Sequence, residues 1–392
     1  MSWRDKTAAM SHTADPDIAH STGCPPHLRA GAPVPLPLHL CQAMMQPDLP
    51  LPEQINNLDA MLRGIAAWRG VQWQRPADQA LTLWSEGSTT LRDYGHGQGK
   101  PILVLPSLIN RAYILDITPQ RSFLGALADA GYRPLLLDWG VPGEMEKTLS
   151  LGDYADTRLR PALAISRVLA GGAVPIVGYC MGGALAVAAA ARRSDDVRAL
   201  VTLGTPWDCT VASPMARMLQ DSVRPQIAAI RALFRSAAQV FGLVPSDVMQ
   251  ALFATLDPGL ARRKFARFAD MDPNSDEAAL FVAVEDWLND PVPVAPRVAE
   301  EVLVDWHVSN TLADTKWSLL GGQINPAQIT CPTLSFCATN DLIAPPGNAE
   351  ALARQIPHGR VIRPETGHVG MIVGSKVAQS TILPLKKFLD EV

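Results

Sequence analysis

A strand, a cysteine framed by glycines and an alanine-rich helix follow one another in residues 174–193, and this stretch constrains the fold most strongly. Residues 174–177 are apolar and mostly β-branched, and residues 184–193 are rich in alanine. Gly178, Gly182 and Gly183 surround Cys180 and permit the sharp strand-to-helix turn that exposes a nucleophile. A lone cysteine is usually a small buried hydrophobe. The strand, glycines and helix together instead predict that Cys180 is a catalytic nucleophile.

Apolar segments of strand length alternate with helical segments on both sides of Cys180. The predicted strands are a pair at 80–84 and 89–94, then 101–106, 133–139, 174–178, 199–203, 332–338 and 360–363. Continuous apolar runs of this length are typical of parallel strands buried on both faces. The predicted fold class is therefore α/β, with a mostly parallel, doubly wound sheet covered by helices.

The alternation of strands and helices stops between residues 207 and 315. Helical segments rich in Met, Phe, Ala and Arg fill this stretch, so we expect a helical cap between two parts of an α/β core, 96–206 and 316–392. Aromatic residues at helical spacing usually pack in a core, although they could also line a tunnel for an acyl chain. The phenylalanines concerned are Phe234, Phe241, Phe253, Phe265 and Phe268.

The N-terminal quarter of the chain divides into two parts. Residues 1–48 are rich in Pro and His and are interpreted as a disordered tail, because prolines oppose regular structure. Residues 49–95 form an extension of one helix and the first strand pair. Apolar positions between 51 and 71 recur at helical spacing, which predicts an amphipathic helix that docks on the core.

A cysteine nucleophile needs a base and a group that orients the base. In this topology both follow the nucleophile in the order acid, then histidine. Asp341 follows the strand at 332–338, and His368 follows the last strand. Because the carboxyl ends of parallel strands meet at one edge of a sheet, both side chains are expected beside Cys180. Asp138 also ends a strand, but its place in an Asp-Trp-Gly turn favours a structural role.

Composition excludes several other classes of protein. The net charge of −4 gives no basic surface for nucleic acid or for an anionic membrane. No apolar run reaches the roughly 18–20 residues of a membrane span. The six cysteines show neither paired-thiol nor zinc spacing, and we expect a reducing, cytoplasmic location and no bound metal. The histidines of the tail lack metal-ligand spacing as well: His12, His20, His27 and His39.

Four motifs resemble those of the polyhydroxyalkanoate synthases, a family with the α/β-hydrolase fold. They read LPSLINRAYILD at 105–116, LDWGVP at 137–142 and GYCMGG at 178–183, with the loops around 341 and 367–368 as the fourth. The resemblance covers the chain from about residue 89 to the C-terminus. It implies that Cys180 is the acylated nucleophile, His368 the base and Asp341 the acid of a catalytic triad. Asn310, in the sequence HVSN, resembles an asparagine of the family and is expected to bind substrate.

The resemblance also implies a reaction. An acyltransferase of this family polymerises 3-hydroxyacyl-CoA through a cysteine-bound acyl-enzyme and releases CoA, which arrives with the substrate, so no separate cofactor is expected. The backbone N–H groups of Met181 and Leu108 are expected to hold the oxyanion. The part that precedes the core is shorter than in the larger synthases. The implied partners are therefore a growing polyester chain or granule and either a second synthase subunit or a homodimer.

Two departures and two alternatives accompany this interpretation. The family usually has Asp-His-Ile at the acid loop and Pro-Pro in the first motif, whereas this chain has Asp341-Leu342-Ile343 and Pro106-Ser107. The same nucleophile and triad would serve a cysteine hydrolase that resembles the dienelactone hydrolases, a depolymerase or a thioesterase. A relative without catalysis, which binds granules or a synthase through its cap and helix, is the alternative from another class.

Overall fold

The computed structural model describes residues 33–46, 48–71, 73–211, 221 and 223–392. The strands are β1 (Leu81–Glu86), β2 (Thr89–Asp93), β3 (Lys100–Leu105), β4 (Tyr132–Asp138), β5 (Val174–Tyr179), β6 (Val197–Leu203), β7 (Ser318–Leu319), β8 (Gly322–Gln323), β9 (Thr333–Phe336) and β10 (Arg360–Ile362). Eight of them form one sheet in the order β1-β2-β4-β3-β5-β6-β9-β10, and β7 and β8 pair separately.

The helices surround this sheet and form the cap. The α-helices are α1 (Leu36–Met44), α2 (Leu51–Gly70), α3 (Phe123–Asp129), α4 (Leu151–Tyr154), α5 (Arg160–Ala170), α6 (Met181–Arg192), α7 (Ile227–Phe241), α8 (Ser246–Ala254), α9 (Leu260–Ala269), α10 (Asp276–Leu288), α11 (Pro296–Glu300), α12 (Pro346–Gln355), α13 (Gly370–Val373) and α14 (Leu383–Asp390). Short 3-10 helices span Ala112–Leu115, Pro119–Arg121, Ser194–Asp196, Arg224–Gln226 and Pro326–Gln328, and π-helical turns span Ala155–Leu159, Glu301–Val308 and Ala378–Ile382.

The sheet confirms the predicted fold class. The pairs β4–β3, β3–β5, β5–β6, β6–β9 and β9–β10 are parallel. The pairs β1–β2 and β2–β4 are antiparallel. Two residues join β1 to β2, and Gly87 adopts φ +57° there, as a tight hairpin turn requires. Because β1 and β2 belong to the sheet, the boundary predicted at residue 96 divides the sheet itself.

The core of the sheet depends on small residues in α6. Every residue from Met181 to Ala190 is buried, because the alanines of this helix let it pack closely against the strands. Two large apolar clusters cover the two faces of the sheet. One contains Leu103 and the other contains Val104, its neighbour on β3. Successive side chains of a strand point to opposite faces, so a continuous apolar run fills both clusters.

The cap is helical, as the sequence predicts, and α2 packs on it. Helices α7–α11 and the following π-helical segment make up the described part of residues 207–315. Trp68 of α2 is buried with Phe265 and Phe268 of α9, and the indole N–H of Trp68 donates to Asp286 Oδ1 of α10 at 3.1 Å. The apolar side of α2 therefore binds the cap, and the expectation that this helix docks on the α/β core is wrong.

The phenylalanines of the cap differ in their surroundings. Phe265 and Phe268 are core residues, Phe253 lines a cavity, and Phe241 is exposed. Another expectation fails at α1, which is a regular helix inside the segment interpreted as a disordered tail. Pro35 is the residue that caps α1 and Pro37 lies in its first turn, where the missing proline N–H is not needed. Residues 1–32, with His12, His20 and His27, lie outside the described residues.

Candidate active site

Cys180 occupies a strained turn between β5 and α6. Its backbone has φ +55° and ψ −126°, a conformation that residues with a side chain rarely adopt. The Cys180 N–H donates to the carbonyl of Leu203 at 2.8 Å, and the Cys180 carbonyl accepts from Gly183 N–H at 2.9 Å. A Cβ on Gly178 would lie 2.4 Å from Gly183 Cα, so only glycine permits this turn. The elbow predicted from the glycines is therefore present.

Asp341 and His368 form a buried pair at the ends of their strands. The Nδ1 atom of His368 lies 2.7 Å from Asp341 Oδ2, and neither side chain is more than 7% exposed. The other carboxylate oxygen of Asp341 accepts the N–H groups of Ile343 and Ala344, both at 2.8 Å. Because a carboxylate only accepts, Nδ1 of His368 carries a proton, and the loop after β9 fixes the orientation of the pair.

The environment of His368 suits a proton acceptor beside Cys180. Burial alone would lower the pKa of His368, but the charge of Asp341, the neighbouring Cys180 sulfur and the hydrogen bond to Asp341 raise the pKa to about 10. Its Nε2 atom is buried and makes no well-aligned hydrogen bond within the described residues. If His368 acts as a base, a loose contact of this kind is common before substrate binds. The imidazole also packs against Tyr179, with ring centroids 5.1 Å apart.

Gly204 sets the position of the His368 ring. This glycine follows β6 with φ +54°, and a Cβ there would lie 2.9 Å from Nδ1 and Cε1 of His368. It would also lie 2.8 Å from Met371 Cε. The imidazole therefore occupies space that any other residue at 204 would take.

The two residues expected to hold an oxyanion, Met181 and Leu108, lie on the two elements that meet at Gly182 and Pro106. Met181 is the first residue of α6, and Leu108 is in the loop after β3. A Cβ on Gly182 would lie 2.3 Å from the Pro106 carbonyl oxygen, so α6 begins directly against that loop. The Leu108 side chain is turned into the core beside Trp139. The assignment of the two backbone N–H groups to an oxyanion remains a prediction.

Cys180 and His368 line a cavity of about 510 Å³ between the sheet and the cap. Most of its surface is apolar, and the loops after β3, β9 and β10 and helices α8–α10 contribute to its wall. An apolar lining of this kind strengthens electrostatic interactions and disfavours bound water. The arrangement is therefore suited to transfer an acyl group to an acceptor other than water.

Several polar residues of this cavity could not be identified from the sequence. Lys264 and Glu285 pair at 2.7 Å between α9 and α10, and burial raises the pKa of Glu285 although the charge of Lys264 opposes that shift. Gln250 of α8 donates to Asn110 Oδ1 at 3.4 Å. These pairs join residues that are distant in the chain, so no local pattern could have identified them.

The side chains of Asn310 and Asp138 bind groups of neighbouring loops. Asn310 is not among the residues that line the cavity; its Oδ1 accepts Cys209 N–H at 2.9 Å and its Nδ2 donates to Asp208 Oδ1 at 3.2 Å. Asn310 has φ +52° and its side chain binds the segment that enters the cap, so the expected substrate contact stays a prediction that these bonds do not support. Asp138 Oδ1 accepts Gly140 N–H at 3.0 Å, as expected of a turn residue.

The part of the chain that the structure describes holds neither a metal-site cluster nor a membrane-spanning helix. Among these residues, no three side chains of His, Cys, Asp or Glu gather as a metal site. None of the helices in that part combines the length and the hydropathy needed to cross a membrane.

Known proteins resemble this chain in fold and in sequence. Residues 100–375 match the alpha/beta hydrolase fold family. The poly(3-hydroxyalkanoate) polymerase subunit PhaC of Haloferax mediterranei is 31% identical over 70% of this chain and 56% of its own length. The subunit of the same name from Allochromatium vinosum is 26% identical over 79% of this chain and 87% of its own length. That of Haloarcula marismortui is 30% identical over 70% of this chain and 57% of its own length. The chain thus spans little more than half of two of these relatives.

Proposed function

The chain belongs to the alpha/beta hydrolase fold family, and from this premise and its polymerase relatives we propose that it is an acyltransferase that polymerises 3-hydroxyacyl-CoA. In this proposal Cys180, His368 and Asp341 act as a catalytic triad. The observation that carries the proposal is the combination at one site of an elbow cysteine, a buried Asp–His pair and a largely apolar cavity.

The first half of the reaction forms an acyl-enzyme. His368 Nε2 takes the proton of the Cys180 thiol, and the sulfur attacks the thioester carbonyl of the substrate. The raised pKa of His368 keeps this proton on the ring, and Asp341 balances the charge of the imidazolium. The backbone N–H groups of Met181 and Leu108 hold the oxyanion, and each contributes about 3 kcal/mol when well aligned. The C–S bond to CoA then breaks, and the CoA thiolate takes the proton from His368.

The second half transfers the acyl group to a hydroxyl. His368 removes the proton of the hydroxyl on another acyl unit, the hydroxyl oxygen attacks the acyl-enzyme, and the Cys180 sulfur leaves as the new ester bond forms. One thioester replaces another in the first half, so thiolate chemistry suits this exchange. The cap keeps water from competing with the hydroxyl.

The proposal needs no cofactor, since CoA enters with the substrate and leaves as a product. We propose further that the growing polyester stays at the enzyme, so that the protein resides at a polyester surface in the cytoplasm and works with a second subunit or as a homodimer. Because the chain spans little more than half the length of two relatives, its location and its partners are proposed and not taken from them.

The test is CoA release from 3-hydroxybutyryl-CoA, with identification of the acyl product. The wild type is expected to release CoA and form polymer or oligomer, and Cys180→Ala is expected to release none. Free 3-hydroxybutyrate as the product would identify a hydrolase. No CoA release by wild type, alone and with a candidate partner subunit, would contradict the proposal.

A further inference from the structure

Cys180 borders a second cavity, which is smaller than the first. Its volume is about 30 Å³, and Cys180, Phe253 and Ile343 line both cavities. One water needs about 10–15 Å³ of such volume, so this cavity has room for roughly two non-hydrogen atoms. A group attached to the Cys180 sulfur can therefore place a short substituent there while the rest of the chain lies in the larger cavity.

His307 is one of the residues that line this small cavity. It lies in the π-helical segment Glu301–Val308, whose wide turn sets the His307 Nδ1 atom 2.7 Å from the Val302 carbonyl oxygen, five residues earlier. A carbonyl can only accept, so Nδ1 carries the ring proton. Nε2 of the neutral ring is then a hydrogen-bond acceptor. Burial lowers the pKa of His307 and the bond to Val302 opposes this, so the ring stays neutral.

The other side chains around this cavity offer no acceptor of comparable strength. Apart from Cys180 they are aliphatic or aromatic, or are methionines such as Met181 and Met249. The other polar group of the lining is the indole N–H of Trp306, a donor that is buried without a hydrogen-bond partner within the described residues. A hydroxyl suits both residues because it donates and accepts, whereas a group that cannot donate leaves His307 Nε2 unpaired.

We propose that His307 Nε2 accepts a hydrogen bond from the 3-hydroxyl group of the acyl chain on Cys180 and thereby selects 3-hydroxyacyl over unsubstituted acyl thioesters. The proposal rests on the function proposed above and adds a specificity residue to it. The 3-hydroxyl is three bonds from the carbonyl carbon that Cys180 attacks, and among the chain's groups near that carbon it alone donates a hydrogen bond. Esters and thioesters only accept, so they can pair with the Trp306 N–H but leave His307 Nε2 without a partner.

The first test compares 3-hydroxybutyryl-CoA with butyryl-CoA in a single-turnover measurement of CoA release. The wild type is expected to favour the hydroxylated thioester in kcat/KM by about 100-fold or more, because a site built for a hydroxyl rejects the analogue without it. His307→Phe keeps the aromatic volume without an acceptor, and the ratio is expected to fall at least tenfold. His307→Gln offers an amide oxygen and is expected to keep part of the preference.

Leu303→Met is the matched control, because it alters the same cavity without changing a polar atom. It is expected to move both kcat/KM values in the same direction and to leave their ratio within about twofold. Equal preference by wild type, or an unchanged ratio in His307→Phe, would overturn the assignment of His307 while leaving the proposed function intact. If the wild type releases CoA from neither thioester, the proposed function is contradicted, and so is the assignment of His307.

A second measurement does not depend on turnover or on the folding of a His307 variant. In Cys180→Ala protein labelled with ¹⁵N-histidine, the Nε2 resonance of His307 is expected to shift when 3-hydroxybutyryl-CoA binds and to stay in place when butyryl-CoA binds. The same response to both thioesters, or to neither, would overturn the proposal.

Discussion

The indole N–H of Trp139 donates a hydrogen bond of 3.0 Å to the carbonyl oxygen of Pro106. This bond joins two of the motifs that carry the family resemblance, 137–142 and 105–116, although they are separate in the chain. Trp139 is itself held by the Ser88 hydroxyl, which donates to the Trp139 carbonyl at 2.9 Å. The same Pro106 oxygen lies against Gly182 at the start of α6. Trp139 therefore positions the loop that is expected to supply half of the oxyanion site.

Trp139→Phe removes this hydrogen bond and keeps most of the aromatic packing. The net contribution of such a bond is about 1 kcal/mol, so kcat is expected to fall about tenfold or less as the loop loses its position. KM should change little, because Trp139 does not contact the large cavity. Steady-state CoA release measures both constants.

The matched control for this variant is Trp317→Phe. Trp317 is also buried, and its indole N–H has no partner within the described residues. The substitution is therefore expected to leave kcat within about twofold, since no hydrogen bond is lost. Equal effects of the two variants on kcat would show that lost packing, and not the bond to Pro106, is responsible.

Gly204→Ala is expected to displace the His368 ring. The added Cβ would lie 2.9 Å from the ring at a backbone φ of +54°. We expect kcat to fall by about 100-fold, because general-base catalysis contributes on that order. Gly171→Ala is the control, since Gly171 has φ +66° but open space around it. It carries similar backbone strain without the contact, and loss of CoA release in both variants would refute the steric argument.

Glu301→Gln tests a pH-dependent contribution to stability. Burial raises the pKa of Glu301 to about 7, and the charges of Asp305 and Asp153 add to the shift. A carboxyl group whose pKa is raised on folding stabilises the folded state at pH values below its unfolded-state pKa. This stabilisation is lost as the pH rises through the folded-state pKa of about 7. The wild type therefore loses on the order of 2 kcal/mol from this group between pH 5 and 8.

The neutral glutamine avoids that loss and can still accept the Leu151 N–H, which Glu301 Oε1 accepts at 3.3 Å. Urea unfolding of both proteins gives the comparison. The free energy of unfolding of Glu301→Gln should exceed that of wild type at pH 8 and match it at pH 5. A difference between the two proteins that is the same at both pH values would contradict the raised pKa.

Gly64→Ala tests the contact between α2 and the cap. A Cβ at residue 64 would lie 1.8 Å from the Phe265 carbonyl oxygen, so the two helices must separate. Forced contacts of this kind cost about 1–3 kcal/mol, which exceeds the gain in helix propensity. Gly70→Ala in the same helix meets nothing within 4 Å and serves as the control. If denaturant unfolding shows equal stability for the two variants, α2 does not pack as described.

Local patterns in the sequence were sufficient to predict the sheet and the sharp turn at Cys180. The elbow at Cys180 depends on neighbours in the chain, since a β-branched strand, three glycines and a run of alanines fix the turn. Asp341 and His368 were found because chain order and strand ends determine where they lie. The polymerase relatives confirm the resemblance that the motifs indicated. The roles of these three residues in catalysis remain predictions.

Features that depend on distant contacts could not be predicted. Asn310 is expected to contact substrate from the motif alone, whereas its side chain donates to Asp208, 102 residues earlier in the chain. The amphipathic pattern of α2 shows that one side is buried, and it does not tell which surface buries that side. His307 occurs in an apolar segment without a motif of its own. The role proposed for His307 depends on a π-helical turn and a cavity, and both exist only in the folded chain.

The central claim is that Cys180 carries the acyl group, and mass spectrometry tests it most directly. Protein quenched in acid after brief mixing with 3-hydroxybutyryl-CoA should gain the mass of one or more 3-hydroxybutyryl units, and peptide mapping should locate them on Cys180. Cys180→Ala protein should gain none, although its buried thiols Cys209 and Cys337 are intact. Acylation at another cysteine that persists in Cys180→Ala, or CoA release without any acylated Cys180, would contradict the account.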